Sequence, residues 1–487
     1  MPPALCGGTF GTDRPGIGAE GGERMRETDG HPSGARPLDR WLPAHMAAAL
    51  DRLNDAGFAA FVVGGCVRDA LRGVVPHDWD LATSALPSQV KELFAGVRVL
   101  DTGIRHGTLT VLLPEGPFEV TTFRSEGPYL DNRRPASVGF VASVEEDLAR
   151  RDFTVNALAF SPRTGLVDPF GGQADLEARL LRSVGDPAGR LREDALRIMR
   201  ALRLASVLGF SLDGRLAEAL HANRALLARI APERVGTELV RMLPGAQVLP
   251  VLLAYPDVLA VPVPEVASAV GHAQRSVYHR YDIWEHTAHA VAAAAPSALV
   301  RLALLMHDLG KPETFTVDAD GHGHFYGHDR RGEEIARARL GALRFGNDVT
   351  ETVAELVRDH QRHLAPENML RWLNRLGEKR LRLLIEVKRG DIAAHAEDVA
   401  ARGLADLRLS EEALDAALAQ QACFSLRDLA VSGHDLMALG IPQGPLLGET
   451  LARLLDAVID GELPNTRESL LAAVRPPVSA AAKAILT

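Results

Sequence analysis

Asp78 and Asp80, in the run HDWDLAT (77–83), stand two residues apart in a stretch that the pattern predicts as a strand. Side chains alternate along a strand, so the two carboxylates share one face. Paired hard oxygen ligands suit Mg²⁺, which takes one or two carboxylates and leaves its other positions to phosphate and water. Just upstream, FVVGGCVR (61–68) reads as a buried strand, the glycine pair Gly64-Gly65, and a helix opening towards Arg68. The glycines let the backbone turn tightly, and a helix start offers unpaired N–H groups to a phosphate. Together these residues predict one site that holds a triphosphate over a metal. Glu119, in FEVTTFR, falls on a neighbouring predicted strand, as a third carboxylate or as a plain edge-strand surface residue.

Two further clusters carry charge. Arg150 and Arg151 open RRDFTVNA, and guanidinium forks match phosphate oxygens bidentately; a helix C-terminus also favours arginine through its dipole. In EDALRIMRALR, Asp194, Arg197, Arg200 and Arg203 recur every third residue, so on one helix they wind slowly around one side. Asp194 and Arg197 offer an acceptor and a forked donor that could meet the edge of a base. The competing reading is a surface ion pair of little energetic worth.

The elements that position these groups follow from pattern and punctuation. A helix is expected from Pro43 to Ala56 and another over Pro87–Phe94, with strands at Val97–Asp101, Thr108–Leu113 and Phe118–Arg124 and a turn at His106-Gly107. This mixed head ends near residue 164, and beyond Gly165 the pattern is almost wholly helical, with Pro232, Pro244, Pro312, Pro366 and Pro442 at junctions. Residues 1–36, with nine glycines and four prolines and no apolar periodicity, are expected to be disordered, with Met25 and Met46 as alternative starts. They contain no signal-peptide h-region.

At 487 residues the chain exceeds one core and predicts several domains. No apolar run reaches the roughly 18 residues of a membrane span. Three scattered cysteines (Cys6, Cys66, Cys423) exclude a disulfide framework and fit a reducing cytoplasm. A net charge of −9 argues against a protein that coats nucleic acid indiscriminately, but leaves room for local basic tracks. Residues 179–203 and 371–389 each hold seven basic residues against few acids, as RNA contacts or as balanced helix faces.

GGCVRDALRG…DWD, RRDFTVNALAF, DPFGGQADL (168–176), EDALRIMRALR and PERVGTEL (232–239) together resemble the class II tRNA nucleotidyltransferases, the CCA-adding enzymes and bacterial poly(A) polymerases of the polymerase-β-like superfamily. The resemblance resumes in residues 436–468 with the tail of the bacterial CCA-adding branch. It implies an α+β protein: a nucleotidyltransferase head (37–164), an all-α neck for base recognition and RNA binding (165–250), an HD domain (251–400) and a helical tRNA-binding tail (401–487). It further implies that Asp78 and Asp80 bind catalytic Mg²⁺ with Glu119 beside them, and that Gly64, Gly65, Arg68 and Arg151 hold the triphosphate. Asp194 and Arg197 would pair with the base, supported by Arg200 and Arg203. The implied reaction is addition of CCA to tRNA from CTP and ATP without a nucleic-acid template, in the cytoplasm. Residues 127–147 are similar to the family's flexible loop for A addition, against a CC-only enzyme. An A-adding enzyme and a poly(A) polymerase remain alternatives.

A second constellation resembles the HD phosphohydrolases. His286 in IWEHTAHA, the pair His307-Asp308 in HDLGKP, and Asp391 in KRGDIAAHA would hold a second divalent metal, with His328 and His360 extending it to two ions. Imidazole and carboxylate together suit a transition metal or Mg²⁺. Phosphohydrolysis of RNA ends or nucleotides is the reading of a different class.

Overall fold

The computed structural model describes residues 38–474, apart from 77, 102 and 128–137. The extension 1–36 and the centre of the loop 127–147 lie outside the described residues.

Short runs of bulky apolar residues make the strands of the head. These are β1 (Ala60–Val63), β2 (Asp80–Thr83), β3 (Arg98–Leu100), β4 (Thr108–Leu113), β5 (Gly116–Thr122), β6 (Arg124–Glu126), β7 (Val138–Phe140), β8 (Ala159–Ser161) and β9 (Gly165–Val167). Seven of them form one sheet in the order β3-β4-β5-β2-β1-β8-β9. The remaining two, β6 and β7, pair antiparallel with each other, β6 just before the 127–147 segment and β7 within it. Along β1 every position is buried, and alternate residues face opposite cores. Val62 points to a core with Met46, Leu50, Leu81, Val90 and Val120, under α1 (Ala44–Asp55) and α3 (Pro87–Leu93). Phe61 and Val63 point to the other, with Phe123, Leu148 and Ala159, under α4 (Val144–Ala149). The pair β2–β5 is parallel, and its crossover runs through α3, β3 and β4.

Three expectations change. The sheet includes β9, so strand structure continues beyond residue 164. Short pairs also occur within the helical part, at Leu180–Leu181 with Ser211–Leu212 and at Thr316–Val317 with Gly323–His324. The supposed single helix through 193–203 is broken: α6 (Pro187–Glu193) ends, Asp194 is extended (φ −132°, ψ 101°), and α7 (Leu196–Leu208) begins. Asp194 Oδ1 accepts the Leu196 N–H at 3.1 Å, so its side chain competes with helix continuation.

Beyond α5 (Gly172–Glu177) and α6, the helices α7, α8 (Gly214–Asn223) and α9 (Pro232–Met242) share one apolar core with the helices that follow, from Phe153 through Leu414. Buried Arg301 stitches this core together, donating to the carbonyls of Leu243 and Gly245 after α9 and of Ala292 and Ala294 at the end of the helix Ile283–Ala293. A separate small cluster, including Leu436, Leu454 and Leu470, holds the tail. In the 371–389 track most cations are engaged within the fold: Arg375 with Asp359, Arg380 with Glu355, Arg382 with Asp415 and Arg389 with Glu411. There the balanced-face reading prevails.

Candidate functional site

The sheet register builds the head's acidic site. Asp80, the first residue of β2, is the Cα partner of Glu119 on β5, so the two carboxylates lie side by side. Asp78 precedes the strand rather than lying in it. All three are exposed. The protein packed around Asp80 still lifts its carboxyl above the usual carboxylate range; Arg151 pulls it back and Asp78 pushes it further. Glu119 is raised by the same crowding and by the Asp80 charge. Negative groups held together with this little compensation, all hard oxygens, fit a divalent cation.

Gly64 has φ +82° and ψ −132°, backbone that L-residues seldom adopt, and leads into α2 (Gly65–Leu71). A Cβ at Gly64 would sit 2.7 Å from Arg151 Nη1, so the absent side chain is where the Arg151 guanidinium lies. Arg151 comes from the residues after α4 and also reaches Asp147 Oδ2 at 3.5 Å. On α2, Arg68 donates through Nε and Nη2 to Asp69 and through Nη1 to Asn156 Oδ1 at 2.7 Å. Arg151 thus links the two sides, lying against Gly64 and acting on the Asp80 carboxyl.

The predicted base-reading group is joined to it through the segment 150–152. Arg197, 7% exposed, donates to the Arg150 and Arg190 carbonyls and to Glu193 at 2.9 Å. Arg200 forms a forked pair with buried Asp152, at 2.8 Å and 2.5 Å. Burial would raise the Asp152 carboxyl, but Arg200 outweighs it and holds it at about 2. Asp194 lies 3.7 Å from Arg234 of α9. Arg203 points elsewhere, in an ion pair with Glu238 of α9 at 2.7 Å. Asp152 and Asn156 were missed from sequence although DFTVNA carried them: short polar residues in an apolar run are a signal of buried hydrogen bonding.

The second constellation assembles from five separate stretches. His286 Nε2 lies 2.9 Å from Asp391 Oδ1 and 3.6 Å from Asp308 Oδ2. His307 Nε2 lies 3.3 Å from Asp308 Oδ2 and 3.6 Å from Asp391 Oδ1. His328 and His360 approach the other Asp308 oxygen at 3.6 Å and 3.7 Å. The ligand atoms of His286, His307 and Asp391 lie within 4.8 Å of one another, as do those of His307, Asp308 and His360. His307, His328 and His360 each use Nδ1 on the carbonyl three residues earlier, at 2.6 Å, which turns Nε2 inward. His307 Nε2 and Asp308 Oδ1 are buried without a hydrogen bond, while Asp308 Oδ2 is engaged by Lys311. Burial pushes His360 down to about 3, leaving it neutral, the form that binds a metal. Lys311, 2.7 Å from Asp308 Oδ2 and bonded to Gln274, is a further buried cation that the motif HDLGKP contained and the charge pattern alone did not distinguish.

The Poly A polymerase head domain family matches residues 60–182, the RNA- and SrmB-binding site of polymerase A matches 209–254, and tRNA nucleotidyltransferase domain 2 matches 331–474. The CCA-adding enzyme of Lactiplantibacillus plantarum is 34% identical over 442 residues, covering 88% of this chain and 96% of the relative. That of Geobacillus thermodenitrificans is 36% identical over 443 residues, covering 88% and 96%. The structure is similar to that of the Bacillus stearothermophilus CCA-adding enzyme in complex with CTP, with TM-score 0.68 and 30% identity over 90% of this chain and 97% of that one. It shares the fold of the Thermotoga maritima CCA-adding enzyme complexed with tRNA-CCA, at TM-score 0.56 and 17% identity over 90% and 99%. Among the described residues no helix is long and apolar enough to cross a membrane.

Proposed function

The chain belongs to the family of CCA-adding enzymes, tRNA nucleotidyltransferases that extend tRNA with CMP, CMP and AMP from CTP and ATP, and from this premise we propose how its residues share the work. The family depends on a divalent metal, and we assign Mg²⁺ here, held by Asp78 and Asp80 with Glu119 alongside. When bound, the metal supplies a lowered pKa for the attacking RNA 3′-hydroxyl and charge compensation at the phosphate undergoing transfer. Arg68 and Arg151 orient the triphosphate over Gly64 and Gly65, and the glycines leave the space. Asp194 and Arg197 meet the base edge, with Arg200 fixing the first turn of α7 through Asp152. Arg197 is paired with Glu193, so recognition of a base edge by Arg197 exchanges that partner for the nucleotide. The reaction takes place in the cytoplasm, on tRNA gripped along the neck and tail.

The observation that carries this reading is the register of β2 against β5, which sets Asp80 beside Glu119 and two residues from Asp78. It is tested with tRNA ending at the discriminator base and tRNA ending in CC, each given labelled CTP or ATP separately. CTP is expected to be incorporated on the first and ATP on the second. ATP use on CC-ended tRNA alone would make the protein an A-adding enzyme, and long ATP-dependent tails on unrelated RNA a poly(A) polymerase.

A second reading rests on the ligand atoms that converge on His307 and Asp308, with His307 Nε2 and Asp308 Oδ1 left unpaired. His286, His307, Asp308 and Asp391 fit a divalent metal, with His328 and His360 in place for a second ion, in an HD-type centre of phosphohydrolase character. Metal analysis of the purified protein and of His307→Ala tests it: equal metal content in the two refutes the assignment.

A further inference from the structure

The two ends of the nucleotide site are joined by an unbroken line of side chains. Arg68 Nη1 donates to Asn156 Oδ1 at 2.7 Å. Asn156 Nδ2 donates to Asp152 Oδ1 at 3.2 Å. Asp152 Oδ2 then accepts both Nε and Nη2 of Arg200. Asp152 and Asn156 are each 8% exposed, so water does not readily replace either link. The amide of Asn156 is directional in this place: its carbonyl faces a cation and its NH₂ faces an anion, and reversing it would set like against like at both ends. Arg68 belongs to α2 in the head and Arg200 to α7 in the neck, so the line crosses from one to the other. The same segment receives Arg197 on the Arg150 carbonyl and Arg190 on the Ala149 carbonyl.

On the reading that Arg68 holds the triphosphate and α7 reads the base, we propose that Asn156 and Asp152 are positioning residues that couple the two. An anion seated at Arg68 fixes the plane of its guanidinium. That plane sets the Asn156 carbonyl, the other end of the amide sets the Asp152 carboxylate, and the carboxylate sets the Arg200 fork at the first turn of α7. Coupling of this kind is reciprocal. The protein therefore discriminates bases more sharply on a triphosphate than on a monophosphate carrying the same base. A nucleotide with the wrong base is in turn held less firmly by its phosphates.

Equilibrium binding of CTP, UTP, CMP and UMP to the full chain with Mg²⁺ tests this. The preference for CTP over UTP is expected to exceed that for CMP over UMP by about tenfold, within the usual range of coupling between sites. In Asn156→Ala and Asn156→Asp the two preferences converge to within about twofold. The second variant keeps an acceptor for Arg68 but sets an oxygen against Asp152, so inhibition by tripolyphosphate stays near wild type while the coupling is lost. Either variant suffices if the other unfolds, since both cut the same link, and a purely structural role would lower the unfolding temperature without making the preferences converge. Equal preferences in the wild type, or an excess that persists in a folded Asn156 variant, overturns the proposal. Arg68→Ala separates the premises: if it leaves tripolyphosphate inhibition unchanged, the phosphate assignment itself fails.

Discussion

Replacing Gly64 by alanine perturbs one methyl group in two separable ways. The backbone there has φ +82°, and forcing an L-residue into such a region costs on the order of 1–3 kcal/mol. The new Cβ would also lie 2.7 Å from Arg151 Nη1, well inside contact distance. The backbone cannot yield easily, because Gly64 N–H donates to the Leu158 carbonyl at 2.9 Å and its own carbonyl accepts from Arg68 N–H at 3.1 Å. The Arg151 guanidinium is the far end of a flexible chain, so it moves. The nucleotide then loses one charge-assisted contact, worth about 1.5–3 kcal/mol, which is roughly tenfold to a hundredfold in kcat/KM. Steady-state incorporation of CTP and of ATP, each on its own acceptor tRNA, should fall by a similar factor, since the triphosphate is common to both. Denaturant unfolding should show the modest stability loss alongside. A Gly64→Ala protein with wild-type kcat/KM for both nucleotides would refute the placement of Arg151 in the phosphate site.

Asp80→Ala is expected to abolish incorporation while tRNA affinity in a filter-binding assay stays within about twofold, if Asp80 serves the metal as proposed and not the tRNA; undiminished turnover would sink the metal assignment. Asp152, held at about 2 against an ordinary value of 3.8, contributes stability that is present above the ordinary value and lost as pH falls through about 2. The stability difference between wild type and Asp152→Asn should therefore shrink by about 2 kcal/mol on acidification across that window, and parallel curves would count against the buried pair. Excess Mn²⁺ should raise the unfolding temperature of the wild type more than that of His307→Ala, which keeps only the head site, with a difference equivalent to about 2.7 kcal/mol at a hundredfold excess over the Kd of the second site. An equal response in both would place the stabilising ion elsewhere.

The head was legible from sequence because alternation and glycine punctuation are local signals. β4, β5, α1 and α3 fall close to where the pattern puts them, and Asp80 with Glu119 required only the right strand pairing. The helical reading of 193–203 failed at Asp194 because a periodicity of three is blind to a side chain that captures its neighbour's N–H. Arg203 went to Glu238 because a partner more than thirty residues away leaves no mark on a helical wheel. His328 and His360 could be suspected but not assigned, since only the packed helices bring them to the far oxygen of Asp308. Asn156 was the least visible: an uncharged residue becomes a link only through what stands on either side of it.

The buried guanidinium of Arg301 bears on where this chain can be cut. Its donors cap carbonyls on both sides of residue 250, and the apolar core there is continuous from the neck into the helices that follow. A break at that point would strand a buried cation and four carbonyl oxygens and split one cooperative unit, whereas the head owns two cores of its own and, among the described residues, contributes only Phe153 and Val155 to the core of the neck. Chimeras with relatives should therefore tolerate an exchange after β9 far better than one at 250. A base-reading helix transplanted alone would arrive without the scaffold that keeps it still.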